Sequence, residues 1–200
     1  MESAISGRSR STVSQLSRIV SGGQTGVDRA ALDAALAAGI EIGGWCPRDR
    51  RSEDGIIPAR YPLRETASRS YAVRTEWNVR DSDATLILVL DRISSGTRLT
   101  VDSAKSQGQP LRIEYLCENS KPGLLTEELS LEHRVAEVGD WIRREQIQTL
   151  NVAGPRGSSR KDVYLKSLEF LSMLFAEISV VPGRRTVKKA KHKYTPRGQD

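Results

Sequence analysis

The chain has 200 residues and two cysteines, long enough to bury the core of one large α/β domain without covalent staples. Its net charge of +6 lies entirely in residues 184–200, where Arg184, Arg185, Lys188, Lys189, Lys191, Lys193 and Arg197 face Asp200 alone. Residues 1–183 are therefore neutral and show no charge footprint for nucleic acid.

Residues 1–17 are rich in serine and arginine and read as a flexible N-terminus. They contain no signal-peptide core, and no apolar run in the chain reaches membrane-spanning length. Cys46 and Cys117 have neither disulfide-framework nor zinc spacing. The expected setting is the reducing cytoplasm, with no membrane partner.

From Arg18 onward strand and helix signals alternate. That pattern predicts a Rossmann-like α/β fold, a three-layer sandwich with a mainly parallel sheet of about five or more strands and helices on both faces. The predicted strands are 18–21, 40–45, 84–90, 111–116 and 149–153. The run Ala84 to Leu90 is continuously apolar, as in a strand buried on both faces. The first helix is expected over 26–38, where Val27, Ala30, Ala31, Ala34, Ala35 and Ala38 make a narrow packing face and Gly39 ends it. Further helices are expected over 66–79, 98–107, 128–145 and 159–178, with Pro182-Gly183 closing the domain. The polar stretch 47–62 has the length of a functional flap. Residues 18–183 then form one ligand-binding domain, and 184–200 a basic tail, either solvated and disordered or attracted to polyanions.

Three glycine-containing loops fall at predicted strand ends. Gly22, Gly23, Gln24, Thr25 and Gly26 join a strand to a helix, which places backbone N–H groups at a positive helix end. Thr25 is a candidate helix cap, with Asp28 completing a reciprocal arrangement. The second loop runs Ser94-Ser95-Gly96-Thr97, with Ser95, Gly96 and Thr97 as candidate contacts and Ser95 or Thr97 capping the helix that follows. The third carries Asn151, Gly154, Arg156, Gly157 and Ser158, where Arg156 offers a planar fork to an oxyanion and Ser158 a cap. All three loops lie at the carboxyl edge of a parallel sheet, where ligands bind. The first loop fits neither G-x-G-x-x-G nor a Walker sequence, and no acidic residue follows the second strand to hold a ribose diol.

Trp45 can stack on a heterocycle or serve packing, and Cys46 is either a soft metal ligand or, since no second ligand lies at metal spacing, an inert small hydrophobe. Arg74 and Asn78 share one helix face, either toward the pocket or in solvent. His133 and His192 have no partner for nucleophilic work, and no metal site is predicted.

The runs SGGQTGVDRAALDAA, GGWCP, RTEWNVRDSDATLIL, SGT and LNVAGPRGS, in that order over residues 18–178, resemble the putative molybdenum-cofactor carrier family. These are circularly permuted YpsA-like proteins in the Rossmannoid superfamily of cytokinin-activating and DprA-like domains. The resemblance implies a homo-oligomer, dimer or tetramer, that holds a small phosphorylated ligand. The ligand would be the molybdenum cofactor or a nucleotide, bound without being transformed, with molybdoenzymes as recipients. It also implies that Gly22 to Gly26, Gly96, Thr97, Asn151, Gly154 and Arg156 line the phosphate site. Two alternatives stand beside it: a nucleotide N-glycosidase or phosphoribohydrolase, and a nucleotide-sensing module. The hydrolase relatives carry P-G-G-x-G-T-x-x-E, and Thr100 stands here where their glutamate falls. An enzyme would need Asp102 or Asp28 in its place, so the expectation leans away from catalysis.

Overall fold

The computed structural model describes residues 16–117 and 130–179. In chain order the strands are β1 (Arg18–Val20), β2 (Glu41–Gly43), β3 (Trp45–Cys46), β4 (Arg51–Ser52), β5 (Gly55–Ile56), β6 (Arg64–Glu65), β7 (Ala84–Val89), β8 (Leu111–Tyr115) and β9 (Thr149–Ala153). The helices are α1 (Val27–Ala37), α2 (Tyr71–Arg80), α3 (Ser95–Ser106), α4 (Leu131–Arg144) and α5 (Val163–Ser179). Residues 1–15 and 180–200, which include most of the expected N-terminal arm, the Pro182-Gly183 stop and the basic tail, lie outside the described residues.

Five strands form one sheet in the order β2-β1-β9-β7-β8, and every pairing in it is parallel. The chain runs outward from β1 to β2 at one edge, crosses to β7, and runs outward again to β8 at the other edge. Strand β9 then returns to the centre, between β1 and β7. The progression therefore reverses around β9, and the loops after β1, β7 and β9 emerge side by side at the carboxyl edge.

Strand β7 is buried at every residue, because helices cover both faces. Leu86 and Leu88 point into a large core shared with α1, α4 and α5, whereas Ile87 and Val89 point the other way, onto Val101 of α3. This is the period-two alternation of a strand acting as the middle layer of a Rossmann-like three-layer α/β sandwich. Helices α1, α4 and α5 pack together, and α2 packs with α3. Alanines on α1 allow its close approach to α5, and Gly39, at φ 70°, ends α1 in the left-handed conformation.

The expected 40–45 strand divides at Gly44 (φ 127°) into β2 and β3, and β3 leaves the main sheet to pair with β6. Helix α2 begins at Tyr71, with Ser70 as its side-chain cap, several residues later than expected. Segment 47–62 is more anchored than a free flap. Ile57 and Tyr61 are fully buried in the main core, and Arg50 donates hydrogen bonds to the carbonyls of Ile57, Leu63, Pro58 and Tyr61. Its β4–β5 hairpin is mostly exposed, with Ser52 buried. No described helix is long and apolar enough to cross a membrane.

Candidate functional site

A cleft of about 300 Å³ opens at the carboxyl edge where the three loops meet. Loop one contributes Gln24, with Asp28 from the start of α1 behind it. The second loop contributes Ser94, Ser95, Gly96 and Thr97, and the third Gly154, Arg156 and Ser159. Helix α2 closes one side with Tyr71, Arg74 and Thr75. The volume is at the lower end of those that take small ligands.

The wall best suited to an anion is the start of α3. Ser94 caps that helix, accepting from the Thr97 N–H at 3.3 Å, while its Oγ lies 2.9 Å from Thr97 Oγ1. Ser94, not the expected Ser95 or Thr97, is therefore the cap. The Ser95 and Gly96 amides are first-turn donors without partners inside the helix. A Cβ on Gly96 would meet nothing within 4 Å, so this backbone faces open space.

Arg74 and Asp28 meet at the floor. Their side chains are 13% and 3% exposed, and Nη1 lies 3.2 Å from Oδ2. Burial pushes the Asp28 carboxyl above the ordinary range, against the opposing pull of Arg74 and a hydrogen bond from the Gln24 N–H. Arg74 Nε is buried with no hydrogen-bond partner. Arg156 adds a second cation, more than half exposed, so the cleft carries two arginines against one carboxylate.

The glycines of loops one and three mostly serve packing. A Cβ on Gly22 would fall 1.8 Å from the Arg74 guanidinium, so that glycine lets the arginine lie flat on the backbone. Gly26 takes φ 78° and itself caps α1 without a side-chain bond, while a Cβ there would sit 2.5 Å from the Pro155 carbonyl. Loops one and three thus touch backbone to backbone. Gly23 faces Leu63 and Ile57 of the flap. Thr25 does not cap α1; its hydroxyl accepts from the Gly157 N–H at 2.9 Å and donates to Glu53. Ser158 does not cap α5, which begins at Val163; its N–H and hydroxyl are both given to Glu53.

Other expected residues lie outside the cleft. Asn151 is buried in β9, its amide donating to Thr85 Oγ1 at 3.2 Å, which ties two strands together. Asn78 holds both backbone atoms of Trp45, accepting from N–H at 2.6 Å and donating to the carbonyl at 3.0 Å. The Trp45 indole donates to Asp81 and packs edge-on against Trp77, so neither Trp45 nor Asn78 is a wall for a ring. Cys46 is fully buried, and burial raises its thiol pKa. Asp102 lies in a separate surface groove of about 470 Å³ between α2 and α3, whereas Thr100 lines the cleft itself. No group of three or more His, Cys, Asp or Glu among the described residues can hold a metal ion.

Sequence reasoning missed Tyr71, one turn before Arg74 on α2, and Thr75, the residue next to it. It placed Ser94 in the second loop without its capping role, and it missed Ser159 and Glu53, the latter with no local signal in the sequence.

A parallel sheet reversing at its centre, with a polar cleft at the reversal, defines a Rossmann-like protein with a ligand-sized site. The sequence model of the Circularly permutated YpsA SLOG family matches residues 19–175, and the chain belongs to that family. It is also similar to the crystal structure of "Putative molybdenum carrier protein" from Syntrophus aciditrophicus SB. The two share 36% sequence identity with a TM-score of 0.72, over 80% of this chain and 94% of that one. No curated protein matches the chain.

Proposed function

We propose that the chain carries the molybdenum cofactor, or binds a nucleotide of similar chemistry, in the three-loop cleft without transforming it. The observation that carries this reading is the convergence of the open Ser95 and Gly96 amides with Arg74 and Arg156 around one small cavity. Helix-end amides and guanidinium forks are the donors that suit a phosphate. The donor set fits the phosphate end of such a ligand, with Tyr71 and Gln24 placed beside the remaining space. Gln24 Oε1 accepts from the N–H groups of Thr25 and Glu53, each at 3.0 Å, which fixes the amide so that its NH2 is the end left to donate. The likeness to a protein named as a molybdenum carrier supports the choice of cargo. The proposal extends to one binding domain over residues 18–183, a homo-oligomer, and molybdoenzymes as recipients.

Titration of the purified protein with molybdenum cofactor and with nucleoside monophosphates tests this reading. Saturable binding with unchanged ligand recovered afterwards supports it, and no binding of either class overturns it.

One observation favours the hydrolase as a second reading. Asp28 lines the cleft, and burial holds its carboxyl toward the protonated form, as a general acid requires. Against it, Arg74 engages that carboxyl and Thr100 occupies the place of the usual glutamate. Base release from nucleoside monophosphates that disappears in Asp28→Asn would establish it.

A further inference from the structure

Glu53 sits at the turn of the β4–β5 hairpin, outside the cleft, yet its carboxylate reaches two of the three loops that build the cleft. It accepts from Thr25 Oγ1, from the Ser158 N–H at 3.0 Å and from the Ser158 hydroxyl, and its Oε2 lies 3.4 Å from Arg156 Nε. Its side chain is only 18% exposed. Burial acts to raise its pKa, but the hydrogen bonds from Ser158 and Thr25 outweigh that and hold it below the ordinary glutamate range. A carboxylate of the chain itself therefore rests on donors of the kind that hold phosphates.

Arg156 belongs to both environments, because it lines the cleft while paired with Glu53. A phosphate in the cleft carries more charge than a carboxylate and is a stronger claimant on a guanidinium fork. The hairpin is short and depends on ties to its neighbours. Its strands are two residues each, and a two-stranded hairpin is barely stable by itself. It is tied down by the Glu53 carboxylate on loops one and three, by the Glu53 N–H on Gln24 Oε1, and by Arg29 on both Asp54 and Ser52.

We propose that Glu53 is an intramolecular competitor of the ligand's anionic group for Arg156, and that a ligand drawing Arg156 into the cleft loosens the hairpin turn. This rests on the cleft being the binding site. It makes the protein self-limiting: Arg156 is shared with the chain's own carboxylate, and cargo loads by competing for it.

Calorimetric titration with inorganic phosphate and adenosine monophosphate, comparing wild type with Glu53→Gln, is the test. The variant should bind both about threefold to tenfold more tightly, and the gain should vanish in an Arg156→Ala background. Hydrogen exchange on the wild-type protein needs no variant: amides of residues 51–57 should exchange faster when phosphate saturates. Binding with equal or weaker affinity in Glu53→Gln, or flap exchange that stays constant or slows, overturns the competition while leaving the binding reading intact. Absence of binding in both proteins overturns the two together.

Discussion

Asp28 and Arg74 form a buried ion pair in which each partner justifies the other, because an isolated charge at that depth is costly. Arg74→Ala should lower unfolding stability by about 3 kcal/mol, measured by urea denaturation. Arg74→Gln combined with Asp28→Asn should lose much less, since no bare charge is left. A different sign of coupling holds at Asp54, whose pKa falls to about 2 mainly through its hydrogen bond from Arg29. A depressed acid stabilises the fold above its unfolded pKa and loses that contribution as pH falls through the folded value. The difference in urea midpoint between wild type and Asp54→Asn should therefore be present at pH 7 and shrink between about pH 4 and pH 2. A constant difference over that range would assign the effect to packing.

Among the elements, two glycines with nearly the same backbone conformation make opposite demands. Gly26 and Gly39 have φ 78° and 70°, but only Gly26 is pressed against another backbone. Gly39→Ala should cost about 1 kcal/mol, the ordinary left-handed penalty. Gly26→Ala should cost about 3 kcal/mol, because loops one and three must also separate. Equal costs in chemical denaturation would show that the loops do not bear on each other. The sequence could locate both glycines but could not tell them apart, since packing against Pro155 joins residues far apart in the chain. The same limit explains the caps. Ser94, Ser95 and Thr97 are equivalent by composition, and the direction of the chain leaving β7 decides that Ser94 bonds the Thr97 N–H.

At the scale of the whole molecule, the alternation of strand and helix signals made the layer order legible, and β7 was visible as one apolar run. The three loops were legible as a set because a parallel sheet places all strand ends on one edge. Their division of labour was not. Loop one was read as a phosphate turn, but its glycines accommodate Arg74, the flap and loop three, and the open amides belong to α3. Asn151, Asn78 and Trp45 had the right chemistry for a ligand, and tertiary partners claimed it first. Glu53 reaches loop three across a separation of 105 residues, which no local pattern reveals.

The central claim is that a ligand occupies the space in front of the α3 amides, and Gly96 allows it to be tested with little disturbance to the fold. A Cβ there points into open space, so Gly96→Val should melt within a few degrees of wild type while crowding the cleft mouth. Calorimetric titration of both proteins with molybdenum cofactor and adenosine monophosphate should show affinity reduced at least about tenfold in the variant, a loss of about 1.4 kcal/mol. Equal affinity in a folded Gly96→Val protein would place the ligand elsewhere and contradict the account.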